Sequence, residues 1–136
     1  MAEVTVKRVE DFEAIYGGGL KRVRSGLGVE SFGISVLDFP AGFDAYPEHD
    51  HSGDGQEEVY TALAGRATLT AGGADYELEP GVFARVPAGI PRTLSTGAEP
   101  VRILALGGTP GSAYDAPSES VEGNPDPMTG GDPIKA

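Results

Sequence analysis

Residues 42–65 read GFDAYPEHDHSGDGQEEVYTALAG, and this stretch decides the fold. It holds both histidines of the chain, His49 and His51, one residue apart, with Glu58 seven residues after the second. On an extended strand, residues i and i+2 point to the same face. Two imidazoles on one face, with a carboxylate on a paired strand, can converge on a divalent metal. Alternation carries the pattern onward. If Glu58 points inward, Tyr60 and Ala62 follow it, while Glu57, Val59 and Thr61 point out.

Outward from this stretch the chain reads as short strands between turn signals. The expected strands are Leu20–Ser25, Ser31–Phe39, Glu57–Leu63, Arg66–Ala71, Ala74–Leu78, Val82–Val86, Arg92–Thr96 and Val101–Leu106. Breaks fall at Pro40-Ala41-Gly42, Gly65, Gly72-Gly73, Pro80-Gly81, Pro87-Ala88-Gly89 and Gly97. Many short strands at regular spacing predict a sandwich or barrel, not alternating strands and helices around a parallel sheet. Ala71-Gly72-Gly73-Ala74 is a tight hairpin signal.

Two flanking segments differ from this centre. Residues 1–24 are mixed in charge, and Asp11–Tyr16 is expected to make one or two helical turns, stopped by Gly17-Gly18-Gly19. That glycine run is no phosphate loop, since no Gly-Lys-Ser/Thr follows it. Residues 109–136 are rich in Pro, Gly and Ser, and carry five acidic residues against Lys135. They lack apolar periodicity and read as an extended or disordered tail, with Tyr114, Val121, Met128 and Ile134 as candidate anchors. The expected organisation is an N-terminal segment with a short helix (1–24), a barrel (25–108) and an acidic tail (109–136).

Composition narrows the function. The net charge of −11 argues against nucleic acid and anionic membrane as partners, because both need a basic footprint. The absence of cysteine excludes disulfides, thiolate chemistry and Cys-based zinc sites. With no apolar h-region in residues 1–10 and no stretch of membrane-spanning length, a soluble, cytoplasmic protein is expected. No Gly-x-Ser-x-Gly stands ready as a nucleophile elbow. Asp50-x-Ser52-x-Asp54-Gly55 imitates the start of a calcium loop, but its closing position falls on Thr61, where a bidentate Glu is required.

In order, Gly42, His49, His51, Glu58 and Gly65, then Gly81, Pro87, Gly89 and Arg92, resemble the two motifs of the cupin family. Residues 58–65 fit its E-x6-G and residues 81–89 (GVFARVPAG) its G-x5-P-x-G. The resemblance covers roughly residues 30–108 and implies an all-β fold, the cupin double-stranded β-helix or jelly-roll barrel. A homodimer is a further implication. The chain departs from the pattern in three places. Six residues, not five, separate Gly42 from His49. The loop 52–57 is two or three residues longer than usual. Arg92 stands where the family has its third ligand histidine, and Thr96 where it has asparagine.

Three arrangements are compatible with that replacement. His49, His51 and Glu58 hold a divalent metal alone, as in two-His, one-carboxylate sites. Alternatively Arg92, a permanent cation suited to carboxylates, pairs with Glu58 in place of the metal. In the third arrangement Arg92 points away, and water or one of Asp44, Glu48, Asp50, Asp54 and Glu57 completes the metal sphere. Expected metal ligands are therefore His49, His51 and Glu58. Arg92, Tyr60 and Leu94 are the expected lining of a pocket for a small, anionic organic molecule. The expected cofactor is one divalent transition metal (Fe, Mn, Ni or Zn) or none. The alternative is a metal-free binding or structural cupin built on an Arg92–Glu58 pair.

Overall fold

The computed structural model describes residues 3–128 and contains two antiparallel sheets facing one another. One sheet has six strands: β1 (Ala14–Ile15), β2 (Leu20–Lys21), β3 (Gly33–Phe39), β4 (Glu57–Gly65), β7 (Phe83–Val86) and β9 (Val101–Gly108). Its spatial order is β1-β2-β3-β9-β4-β7. The other has β5 (Ala67–Ala71), β6 (Ala74–Leu78) and β8 (Arg92–Ser95), in the order β6-β5-β8. Crossing strands of this kind are those of a jelly-roll barrel. Among the described residues, no helix is long and apolar enough to cross a membrane.

Period-two alternation builds the core. Along β5, Ala67, Leu69 and Ala71 are buried while Thr68 and Thr70 face outward. Along β8 the inward pair is Arg92 and Leu94, along β9 Val101 and Ile103. These side chains meet Leu37 and Phe39 of β3 and Tyr60 and Ala62 of β4 in one apolar cluster. Burying each large aliphatic side chain contributes about 1.5–3 kcal/mol. The β5–β6 hairpin turns at Gly72 and Gly73, with φ of 60° and 81°. Left-handed backbone at both central positions is what a two-residue hairpin demands, and glycine adopts it without strain.

The N-terminal region differs from expectation in two places. Asp11–Tyr16 is not one helical piece: 3-10 turns at Val9–Asp11 and Tyr16–Gly18 flank a two-residue strand. Extended backbone there lets Ile15 pair with Leu20 and bury its side chain to 1% exposure. The strand expected over Leu20–Ser25 stops at Lys21, and Val23–Leu27 forms a short helix, α1. Gly28 ends it in left-handed conformation (φ 83°), its N–H reaching the carbonyls of Arg24 and Ser25. A glycine C-cap of this kind is a helix stop signal.

The tail up to Met128 is held by a set of polar contacts. Arg22 is 1% exposed and donates to the carbonyls of Glu119 (2.8 Å), Asn124 (2.8 Å) and Pro125 (3.4 Å), and to the Glu13 carboxylate. Gly123 N–H donates to the same Glu13 oxygen, and Ser25 and Ser120 are hydrogen-bonded alongside. These bonds from Gly123 and Arg22 hold the Glu13 carboxyl below its ordinary acidity range. Of the expected anchors, Tyr114 packs against Gly33, whereas Met128 is 53% exposed. Ile134 lies outside the described residues.

Gly65, which closes the first motif, has φ 72°, and a β-carbon there would lie 2.0 Å from the Pro100 carbonyl oxygen. Backbone strain and overpacking add in that position. Gly65→Ala is expected to destabilise the protein by about 2–4 kcal/mol in urea denaturation. Gly97, with open space around it, serves as control, and Gly97→Ala should change stability by less than about 0.5 kcal/mol.

Candidate metal centre

The segment carrying both histidines runs antiparallel to the start of β8. His49 and Arg92 exchange backbone hydrogen bonds (3.1 and 2.9 Å), and His51 N–H donates to the Ala88 carbonyl (2.7 Å). Residues directly opposed in an antiparallel pair project to the same face. His49, His51 and Arg92 therefore all face Glu58, which projects inward from β4. One ligand atom from each of His49, His51 and Glu58 falls within 4.8 Å of the others.

Hydrogen bonds orient the imidazoles. His51 Nδ1 lies 3.1 and 3.2 Å from the two Asp54 carboxylate oxygens, and His49 Nδ1 lies 3.1 Å from the Pro47 carbonyl. Carboxylate and carbonyl oxygens only accept, so each Nδ1 is the donor in these contacts and Nε2 is the nitrogen turned toward Glu58. His51 Nε2 is 3.3 Å and His49 Nε2 4.0 Å from Glu58 Oε1. His51 Nε2 is buried and has no hydrogen-bond partner among the described residues. The His49 ring rests 5.7 Å from Tyr46, which continues into Phe39 and Phe43.

Asp54 is itself anchored. Gln56, 4% exposed, donates to it through its backbone N–H and its side-chain amide, both at 3.1 Å. Partial burial pushes the Asp54 carboxyl up, but the Gln56 N–H and the His51 contact outweigh this and hold it low, as a carboxylate. Asp54 and Gln56 lie on the lengthened loop 52–57. The sequence offered Asp54 as one of five acids that could complete a metal sphere; the structure places it instead behind His51, and Gln56 was not foreseen.

Beneath Glu58 lies a second polar set. Arg92 is 0% exposed and directs Nη1 to Glu58 Oε1, Nε to the Ile90 carbonyl (2.9 Å) and Nη2 to the Pro87 carbonyl (2.7 Å). Tyr60, also fully buried, donates to Glu58 Oε1 at 2.5 Å. Burial, then the neighbouring Tyr46 and Glu58, pushes the Tyr60 phenol well above its ordinary range, so it is a fixed donor. Leu94 is 1% exposed in the core. All three side chains expected to line the pocket face inward. With 0–1% exposure they belong to the closed core, whereas the histidine and Glu58 side chains keep some exposure. Glu58 Oε2 takes no hydrogen bond from the described residues, and the side chain keeps 16% exposure.

A jelly-roll barrel with a His/His/Glu cluster on its inner face defines the class. Residues 35–107 match the family described as Cupin domain, and the chain belongs to the cupin family. Among curated proteins, none matches this chain. A cupin protein from Bacteroides fragilis superposes with a TM-score of 0.66 at 21% identity, over 86% of this chain and 93% of that one. A sugar phosphate isomerase from Silicibacter pomeroyi superposes with a TM-score of 0.64 at 16% identity, over 84% and 83%. A DMSP lyase from Ruegeria pomeroyi is 30% identical with a TM-score of 0.53. The match covers 70% of this chain and 46% of the lyase.

Removing one partner of a buried ion pair leaves the other charge poorly solvated. Arg92→Ala is expected to cost about 3 kcal/mol in chemical denaturation, near the low end for such pairs because Glu58 keeps some water. The double variant Arg92→Met/Glu58→Leu should recover most of that loss. If the double variant were as unstable as Arg92→Ala, the pair itself would not be the source.

Proposed function

We propose that this chain is a metal-binding cupin that acts on, or holds, a small organic molecule at the barrel mouth. His49, His51 and Glu58 would be the three protein ligands of one divalent transition metal (Fe, Mn, Ni or Zn). The observation that carries this reading is the buried, unpartnered Nε2 of His51. Its ring is turned by Asp54 so that this nitrogen faces His49 and Glu58. Two imidazoles and a carboxylate suit first-row divalent ions. A carboxylate behind a ligating histidine raises its basicity and fixes its orientation. When bound, the ion would supply Lewis acidity toward an oxygen of the ligand.

The rest falls to the chain's own residues. Arg92 and Tyr60 hold Glu58 through Oε1, the oxygen that also lies nearest the two Nε2 atoms, and Oε2 takes no hydrogen bond from the described residues. Glu58 would share its charge between the guanidinium and the ion. The likeness to an isomerase and a lyase supports small-molecule chemistry at this site, without selecting a reaction. A second reading rests on the Arg92–Glu58 pair: the cation already neutralises Glu58, and the pocket binds its ligand without metal.

Metal analysis separates them. Full-length protein purified without a metal-binding tag should carry near-stoichiometric metal, or take it up from Fe, Mn, Ni or Zn. His51→Ala should abolish binding, and Asp54→Ala should weaken it by about 10–100-fold. Uptake of none of the four metals would leave the metal-free reading.

We also propose a homodimer formed on the outer face of the larger sheet. Phe83 on edge strand β7 is 71% exposed and Leu63 on neighbouring β4 is 50% exposed, an apolar pair that a second copy would cover. Light scattering should give twice the monomer mass for the native chain and the monomer mass for Phe83→Glu. A monomer in both cases would rule the dimer out.

A further inference from the structure

We propose that the C-terminal tail completes the ligand pocket, with Tyr114 as its far wall and the unpartnered Nε/Nη2 edge of Arg24 as a subsite for a carboxylate or phosphate group. The inference rests on the reading above, in which a small molecule sits at His49, His51 and Glu58. Both residues lie outside the family match at 35–107.

The sheet register places Tyr114. Gly33 pairs with Gly107, and Gly107 pairs with Glu58, so the three positions form one cross-strand row facing the same side. A β-carbon on Gly107 would point at Gln56 Oε1 (2.8 Å) and Glu58 Cγ (3.6 Å), which makes this the site face. A β-carbon on Gly33 would meet the Tyr114 hydroxyl at 2.6 Å. Tyr114 therefore occupies the space that a side chain at position 33 would fill. The inner wall along this row reads Tyr114, Gln56, Glu58. Adjacent strands are about 4.8 Å apart, so Gly33 and Glu58 are separated by roughly 10 Å, within the span of a small metabolite. The tail also touches the metal loop, where Thr109 Oγ1 approaches the Asp54 carbonyl at 3.4 Å.

Arg24 supplies the charge. Its Nη1 donates to the Val29 carbonyl at 3.0 Å, at the start of the segment leading into Gly33. Its Nε is buried without a partner, a condition shared among the described residues only by His51 Nε2. Nη2 has no partner either. Arg22 and Arg92, by contrast, use all three nitrogens within the protein. The unused edge is the one that takes an oxyanion bidentately, and Arg102 shows the mode here. Its Nε and Nη2 hold the two oxygens of Asp38 at 2.7 and 3.1 Å. Arg24 and Tyr114 are neighbours. Burial raises the phenol's pKa, the Arg24 charge opposes that rise, and Glu58 and Asp54 add to it. The charges of Arg24, Glu58 and Asp54 are thus all close enough to act on the Tyr114 hydroxyl.

Calorimetry on the full-length chain, metal-free and cobalt-loaded, tests this with succinate and inorganic phosphate as probes and succinamide as the uncharged control. The native chain should bind at least one oxyanion more tightly than succinamide, and the two probes show which group the edge prefers. Arg24→Gln should weaken that binding about tenfold or more, with Arg24→Lys recovering only part, because lysine keeps the charge and lacks the planar fork. Tyr114→Ala and Gly33→Ala, whose new methyl displaces the Tyr114 hydroxyl, should each weaken it as well. Cobalt affinity should stay at its native value in all four variants. Oxyanion binding unaffected by Arg24→Gln would overturn the proposal, as would a native chain that binds neither oxyanion better than succinamide. Loss of oxyanion binding only in step with loss of cobalt affinity would also overturn it. Arg24-dependent binding by a chain that takes up no cobalt would uphold the subsite while refuting the metal reading.

Discussion

A guanidinium with no access to water needs an acceptor for each of its nitrogens, and much of this barrel is arranged so that Arg92 has them. Pro87 and Ile90 turn their carbonyls inward across the β7–β8 connection, and Glu58 meets the remaining nitrogen from β4. The pair joins the two sheets, since Arg92 belongs to the three-stranded sheet and Glu58 to the six-stranded one. The same bridge sets the position of the histidines, because His49 is hydrogen-bonded backbone to backbone with Arg92. Moving Arg92 would move the carboxylate and one imidazole together.

The pair also divides the labour of one carboxylate. Oε1 is held by Arg92 and Tyr60, while Oε2 remains without a protein partner. A cation this close would disfavour a metal if it faced the ion directly. Here the guanidinium bonds the carboxylate itself and fixes its orientation. Asp54 does the corresponding work for His51 on the other side. The site is thus a set of donors whose outer atoms are fixed by hydrogen bonds and whose inner atoms are left over, the pattern expected of a preorganised ligand sphere.

Much of the fold was legible because alternation and glycine are local signals. Strands β3 to β9 fall within a few residues of their expected positions, helped by alternation along β5 and β8 and by turn glycines at 42, 65, 72, 73 and 81 in left-handed backbone. The errors lie where a long-range contact overrides local preference. Asp11–Tyr16 has helix-compatible composition, yet Ile15 is extended because burial against Leu20 and β3 outweighs a single helical turn. The tail offered no apolar period. It is nonetheless placed by Arg22, whose partners are backbone carbonyls that look alike in any sequence.

The sequence by itself put His49 and His51 on one face, because strand geometry has a period of two, and its resemblance to the cupin motifs implied that Glu58 joins them in a barrel. It also marked Arg92 as the substitution that matters. Tertiary structure alone decided where that guanidinium goes, since β4 and β8 belong to different sheets and meet only when one sheet packs on the other. It alone showed that Asp54 orients His51, that Tyr60 and Leu94 are buried beneath the site, and that Tyr114 returns from the tail to stand beside it. Each of these is a contact between segments distant in the chain, and such contacts arise from packing, which no local pattern of residues encodes.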